Sequence, residues 1–579
     1  MSSRPSLPPK TGSAASLAMI RSAPFWQLAW GAEALVDKKQ GPDAKPASFP
    51  ATDGFGLKRD LGSRHINMIA LAGMIGTGLF LGSGQSLAIA GPAGALLAYI
   101  VMGFVAAGIS FTTGEMTSFY PHTGGFIRHA TKYVEPALGA ATGWNFWYTI
   151  AIAVPAELSA AATLVQFWNT SINPGIWLTI FIVFIVTLNL CGVRLYGESE
   201  VLFASLKILL ILGLIIGGIV INLGGAPNQE HLGFRYWRDP GPFNSYIKGG
   251  TAGRFLAWWK VMLSAAYSYG NIQIVAISGS EAQNPRYNIA NATKKIFWRI
   301  ALFYVTTVFV VTLIVPYNDP ELKISTGNAA QSPFVIAFKR SGVSAVPSII
   351  NAVVCTSAIS GSSACIYIAS RTLYGLSLDG HAPRIFLRCN SQGVPYVAVG
   401  FTCLLLPLVY LNVNNNTSTV FSWFVNVTTL AGMIGWIVIE ITYLRFLQAL
   451  RTQGYTRDDL FYKGPLQPYL TWFSLIMISL IVIFSGWDVF VKGNFTAAGF
   501  ISCYLNILIF IGTFAIGTCV IYPLCVCIFL KSEVVPLTEV DLAIDVKLVH
   551  DEKEAAKIYR KASTGIAHKA WKLLRENIF

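Results

Sequence analysis

Long apolar runs decide what this chain can be. Residues 205–223 and 501–529 are broken only by an occasional polar side chain. As a helix, each is long enough to cross about 30 Å of hydrocarbon at about 1.5 Å per residue. In hydrocarbon every backbone N–H and C=O must find its partner inside the protein. Only helices or closed barrels achieve that, and runs of this length specify helices. The composition agrees: 54% of the 579 residues are hydrophobic and 12% are charged, whereas a soluble globular chain averages about 25% charged. Half that charge leaves too little polar surface for a water-soluble body. The expected fold class is an all-α polytopic membrane protein.

Hydropathy predicts about twelve spans, near 66–90, 93–119, 137–168, 175–193, 201–223, 256–280, 298–316, 345–370, 396–412, 419–444, 469–490 and 500–530. An even number places both tails on one side. Nine Lys/Arg precede residue 65 and nine follow residue 530, and the loops 286–299, 371–388 and 445–463 are also rich in them. Positive charge gathers on the cytoplasmic side of membranes. The net charge of +14 therefore records topology, with no nucleic acid implied. The loop 224–254 is expected outside despite its four positive charges, because long loops obey the rule less well. The sequons at Asn169, Asn416 and Asn494 fall in expected outward loops, and that at Asn291 falls inside. Residues 19–36 are only mildly apolar and make no usable signal peptide. The domain reading is a tail at 1–64, spans one to five at 65–223, an outer loop at 224–255, spans six to ten at 256–446, spans eleven and twelve at 447–530, and a tail at 531–579.

Chemistry-bearing motifs are few. The nine cysteines are scattered, six of them in apolar segments, with no metal-ligand spacing; they read as small packing residues. There is no nucleotide loop and no nucleophile–base pair within one segment, so neither an enzyme nor a cofactor is expected.

Two spans carry an interruption. The first reads Ala72-Gly73-Met74-Ile75-Gly76-Thr77-Gly78-Leu79-Phe80. Clustered glycines suit close helix packing, but Gly76-Thr77-Gly78 is denser than packing needs, and an unwound turn is the favoured reading. The second, in the sixth span, reads Ala265-Ala266-Tyr267-Ser268-Tyr269-Gly270-Asn271-Ile272. Corresponding breaks five spans apart point to an inverted repeat with a binding site near the midplane. The half-helix after Gly78 would offer N–H groups and partial positive charge to a carboxylate. Carbonyls freed near Tyr267 and Gly270 would accept from an ammonium group. A site offering both suits a zwitterion, that is, an α-amino acid.

At these residues the chain resembles the fungal amino-acid permeases of the amino acid–polyamine–organocation superfamily, over about 56–530. The likeness rests on Arg64-His65-Ile66-Asn67-Met68-Ile69-Ala70 leading into the first break, and on Gly91-Pro92 with Gly114-Glu115 and Pro121 around the second span. It continues in Ser280-Glu281-Ala282-Gln283-Asn284-Pro285-Arg286 after the sixth span. Ser370-Arg371-Thr372-Leu373-Tyr374 and Asp379-Gly380-His381-Ala382-Pro383-Arg384 carry it after the eighth. The resemblance implies a LeuT-like fold of five plus five inverted spans plus two, and proton-coupled uptake of amino acids across the plasma membrane. It assigns the substrate carboxylate to Ile75, Gly76, Thr77 and Gly78. It assigns the amino group and a gate to Tyr267, Ser268, Tyr269, Gly270 and Asn271. One departure stands out: many relatives have Gly-Thr-Glu where this chain has Asn271-Ile272-Gln273. Gln273 can hydrogen-bond but cannot titrate.

Ionisable residues at membrane depth are costly and usually functional. Glu157 lies in mid-span in Val154-Pro155-Ala156-Glu157-Leu158, and Lys207 lies in the fifth span. In related proteins an acid at the first position handles substrate and protons, and a lysine at the second fills the space of a sodium ion. Glu157, Lys207 and Gln273 are the candidates for coupling or specificity; a structural partner or static brace is the competing reading for the first two. Glu115 reads as a packing or gating residue, Lys260 as one that snorkels outward, and Glu440 as a gate or interfacial residue. Residues 555–574 read as a solvated helical tail. The expected partners are an amino acid, a proton and membrane lipids, with no metal. The alternative function is a non-transporting amino-acid sensor on the same fold; sensors of this kind tend to carry a much longer N-terminal domain.

Overall fold

The computed structural model describes residues 77–554 apart from 123, 169–170, 229, 275–285, 287–288, 295–299, 324–331, 344, 415–416 and 520–533. Ile75, Gly76, the stretches 19–36, 64–70 and 280–285, and the tail helix at 555–574 lie outside the described residues. The described residues contain helices and no strands, and eight of the helices are long and apolar enough to cross a membrane. Two shorter apolar helices, Pro174–Leu190 and Phe303–Ile314, accompany them.

In chain order the main helices are α1 (Ser83–Phe119), α2 (Phe126–Tyr133), α3 (Pro136–Val165), α4 (Pro174–Leu190), α5 (Val193–Asn222) and α6 (Gly250–Ser268). They continue with α7 (Thr306–Ile314), α8 (Pro333–Arg340), α9 (Val346–Leu378), α10 (Tyr396–Cys403), α11 (Thr417–Thr452), α12 (Tyr469–Phe484) and α13 (Ala497–Cys519). Helix α1 is two arms joined at Gly91, whose φ of 75° and ψ of 175° leave the helical region. Only glycine enters that backbone region without strain. Pro92 has no N–H to give the Ala88 carbonyl four residues back. Asn244 supplies the missing donors, its Nδ2 to the Ala88 carbonyl at 2.8 Å and its N–H to the Ala90 carbonyl at 3.1 Å.

Helices α5, α9 and α11 run past their expected spans, beginning at Val193 instead of 201 and ending at Leu378 and Thr452 instead of 370 and 444. Their added turns are polar, and hydropathy cannot see a helix once it leaves the hydrocarbon. Helix α3 is the central rod: it packs along α9 and α11, while α6 runs beside α1. Helix α5 shows how the layers are made. Leu202, Leu209, Ile216 and Leu223 recur every seven residues and are all exposed, an apolar stripe suited to lipid. Its other side buries Glu200, Ala204, Lys207 and Ile211. A helix that is apolar toward lipid and charged toward the protein has a polar interior to serve.

One face of the bundle is laced together. Arg128 of α2 pairs with Asp379 just past α9. The segment 534–554 lies against the same face: the Val535 N–H donates to the Val134 carbonyl at 2.9 Å, Gln453 Nε2 to the Leu537 and Val540 carbonyls at 2.9 and 2.7 Å, and Lys132 Nζ pairs with Asp545 at 2.6 Å.

Candidate functional site

The second interruption is a helix end. Helix α6 stops at Ser268, and the backbone turns through Tyr269, Gly270, Asn271 and Gln273, with Asn271 at a φ of 68°. The described part of the first interruption is a widened π-helical turn, Gly78–Gly82, preceded by buried Thr77. The two meet at Gly78. A β-carbon there would lie 2.7 Å from Tyr267 Cδ1 and 3.1 Å from Ser268 Cα, so this glycine is required by the contact between the two interruptions. The packing reading of the glycine cluster therefore applies at Gly78 itself.

Beside this meeting point is a cavity of about 80 Å³, counted as space open to the centre of a water molecule. One water needs about 10–15 Å³ by that measure, so the space holds several. Helix α3 contributes Thr149, Ala153 and Glu157, four residues apart and therefore on one face. Helix α5 contributes Glu200 and Lys207, and α9 contributes Gly361, Ala364 and Cys365. Helix α11 brings Thr429, Gly432 and Trp436, and the interruptions bring Gly78, Tyr267, Ser268, Gly270, Asn271 and Gln273.

Most of the sequence-named residues thus converge. Glu157 is 8% exposed, and its Oε1 accepts from the Tyr267 hydroxyl at 3.1 Å. Its Oε2, like the neighbouring Thr77 Oγ1, is buried with no hydrogen-bond partner among the described residues. Lys207 is 2% exposed and lies within electrostatic reach of Glu157. Gln273 Oε1 accepts from Trp436 Nε1 at 2.9 Å, a contact that a neutral amide makes without placing another charge in the cavity. Ser268 Oγ is 3.0 Å from the Tyr99 hydroxyl. Tyr269 does not line the cavity: its hydroxyl donates to the Tyr99 carbonyl at 2.9 Å and its ring packs 4.6 Å from that of Tyr304.

Glu200 is the cavity residue that sequence reasoning missed. It is 1% exposed; its Oε2 accepts from Ser360 Oγ at 2.8 Å, and its Oε1 has no partner among the described residues. Its signal was present in the sequence, because Glu200 precedes Lys207 by seven residues, two turns on one helix face. Starting the span at 201 left it outside.

Glu115 and Glu440 sit elsewhere. Glu115 accepts from Arg457, from Tyr443 Oη at 2.6 Å and from the Gly464 N–H at 2.6 Å. Glu440 Oε2 accepts from Thr112 Oγ1 at 2.9 Å, within the α1–α11–α12 packing. Lys260 does not merely snorkel, since it pairs with Asp488 at 2.5 Å.

The proline-specific permease of Emericella nidulans is 41% identical over 464 residues, covering 79% of this chain and 84% of that one. The dicarboxylic amino acid permease of Saccharomyces cerevisiae is 39% identical, covering 89% of this chain and 84% of its own length. The lysine-specific permease of the same yeast is 39% identical, covering 81% and 76%. Among solved structures, a manganese transporter of Eremococcus coleocola aligns with a TM-score of 0.49 at 13% identity, covering 89% of this chain and 99% of that one. The amino acid permease family model matches residues 65–521, so the chain is a member of the amino acid permease family.

Proposed function

We propose that this permease imports amino acids across the plasma membrane by proton symport with alternating access, its basic loops and both tails facing the cytoplasm. The observation that carries the reading is the cavity itself. A helix end and a π-helical turn meet there beside a buried acid and a buried lysine. Discontinuous helices at the membrane midplane supply backbone groups for substrate without unsatisfied polar atoms facing lipid. Ile75, Gly76, Thr77 and Gly78 bind the substrate carboxylate. Glu157 and the chain end at Tyr267, Ser268, Gly270 and Asn271 hold its ammonium group. The Tyr267 ring, packed 6.3 Å from Phe421, closes one side. Lys207 balances Glu157 in place of a metal ion.

Three relatives of nearly equal identity are named for proline, dicarboxylic amino acids and lysine, so kinship leaves the side-chain class open. The cavity favours neutral over dicarboxylic substrates, since two carboxylates face one ammonium in it. Uptake of labelled amino acids at about pH 5 and pH 7.5, in cells lacking their own permeases, tests the whole reading. Saturable uptake that is favoured by acid and lost in Glu157→Gln or Lys207→Ala supports it. No uptake of any amino acid by a surface-expressed protein refutes transport and leaves the sensor.

A further inference from the structure

Glu200 has a place in the cavity that substrate binding leaves unexplained. With Glu157 and Glu200 ionised and Lys207 protonated, the cavity carries one negative charge too many. A bound zwitterion leaves that count unchanged, and a single proton cancels it. Uncompensated charge at membrane depth is expensive, so the neutral loaded state is one amino acid plus one proton.

The two acids are not equivalent places for that proton. Glu157 is tied to the end of broken helix α6 through Tyr267, where the substrate ammonium is expected. Glu200 is held by α9 through the Ser360 hydroxyl, away from the broken helices, and its Oε1, like Glu157 Oε2, has no hydrogen-bond partner among the described residues. It also stands nearer the end of α5. Lys207 lies about 10 Å deeper along the helix, at about 1.5 Å per residue.

Between Glu200 and that end lies a stack of side chains. The rings of Tyr196 and Tyr367 lie parallel, 4.3 Å apart and inclined by 10°. The Arg371 guanidinium caps the Tyr367 ring at 3.3 Å. Tyr196 is 1% exposed, one helical turn from Glu200, and Arg371 is only partly buried. The groups around Glu200 are Lys207 and Tyr196 on its own helix and Ser360 and Cys365 on α9, while Tyr367 and Arg371 interact with Tyr196. Across the cavity it faces Glu157 on α3 and Tyr267 on α6; Cys365 lies in the electrostatic field of Glu157, Glu200 and Lys207 together.

We propose that Glu200 carries the coupled proton, and that the Tyr196–Tyr367 stack capped by Arg371 is the stopper between it and the face where α5 begins. The inference rests on the symport reading above. The carboxylate takes one proton on Oε1 from cavity water when the stopper is closed. When the stack parts, the O–H of Oε1 gives that proton to water on the far side. The remaining carboxylate keeps the Ser360 hydrogen bond.

The test uses the full chain reconstituted in liposomes, with neutral amino acids as probe. Wild type should accumulate label under an inward proton gradient, and should exchange label in counterflow without one. Glu200→Gln keeps an acceptor for Ser360 and cannot titrate. It should lose at least tenfold of the gradient-driven accumulation and retain counterflow within about twofold of wild type. Ser360→Ala keeps the acid and removes its donor. It should move the pH midpoint of uptake upward by about one unit, the worth of a hydrogen bond to a charged acceptor. Glu200→Gln that still concentrates label with wild-type pH dependence overturns the proposal. So does Glu200→Gln that folds but loses accumulation and counterflow together, which would make Glu200 part of the binding site. Should Glu200→Gln not fold, an unmoved midpoint in Ser360→Ala overturns it. A wild type that performs counterflow but never accumulates refutes symport itself, and this proposal with it.

Discussion

Replacing Arg457 tests whether the charged cluster at the end of α1 is a structural pin. Glu115 is fully buried there, and three donors meet it: Arg457 and the Gly464 N–H on Oε1, and the Tyr443 hydroxyl on Oε2. Arg457 also donates to the Gln467 carbonyl at 2.8 Å and the Gly464 carbonyl at 3.1 Å, so one guanidinium folds the connection between α11 and α12 onto α1. Arg457→Met leaves a buried carboxylate with two neutral donors. Stranding one member of a buried ion pair costs about 3–5 kcal/mol. The Arg457 side chain is 29% exposed, which places this case near about 3 kcal/mol after solvent screening. Glu115→Gln strands the guanidinium instead and turns an amide N–H₂ toward donors, at about 2 kcal/mol. Independent sites would sum to about 5 kcal/mol in the double variant. Each single change already breaks the same cluster, so the double variant should cost about 3 kcal/mol, a coupling of about 2 kcal/mol. The assay is equilibrium unfolding in mixed micelles followed by tryptophan fluorescence, with all four proteins in one detergent series. Losses that add to within about 0.5 kcal/mol would falsify the pin and make the contacts incidental.

Two further outcomes follow from local geometry. In the loop helix α2, His129 Nε2 donates to the Tyr120 carbonyl at 3.1 Å, and burial, together with the nearby Lys132 and His122, pushes its imidazole down to about 4. The unfolded chain then binds the extra proton between about pH 6.5 and pH 4, so acid should remove about 2 kcal/mol of stability between pH 7.5 and pH 5. His129→Gln keeps a donor and does not titrate; an acid shift in its thermal unfolding as large as that of wild type would refute the linkage. Gly78→Ala should reach the surface yet cut uptake at least tenfold, because its β-carbon would meet Tyr267 and the Ser268 backbone; unchanged uptake kinetics would show that the two interruptions need not touch.

The sequence told more about depth than about direction. Apolar runs located α3, α5, α9 and α11, the polar intrusions within α3 and α5 named Glu157 and Lys207, and the resemblance singled out Gln273; all three line one cavity. Such residues can be picked out because the cost of a polar group in hydrocarbon is local and large. What the sequence left unseen depended on rotation. Tyr269 stands one residue from cavity-lining Ser268 yet turns its hydroxyl to the Tyr99 carbonyl. Near a helix end the phase of 3.6 residues per turn stops predicting where a side chain points. Glu200 failed for the opposite reason, since its helix is regular and only its beginning was misplaced. Near Glu198 and Glu200 the charge density reads locally as loop, and hydropathy averages it away. Rotation along an intact helix, however, can be read from its own lipid stripe. Leu202, Leu209, Ile216 and Leu223 define the outward face of α5, and about 100° per residue then places Glu200 and Lys207 on the inward side. In a membrane helix the stripe that meets lipid is therefore the better locator of the buried acid, because lipid tolerates apolar side chains alone and fixes the phase of the whole helix.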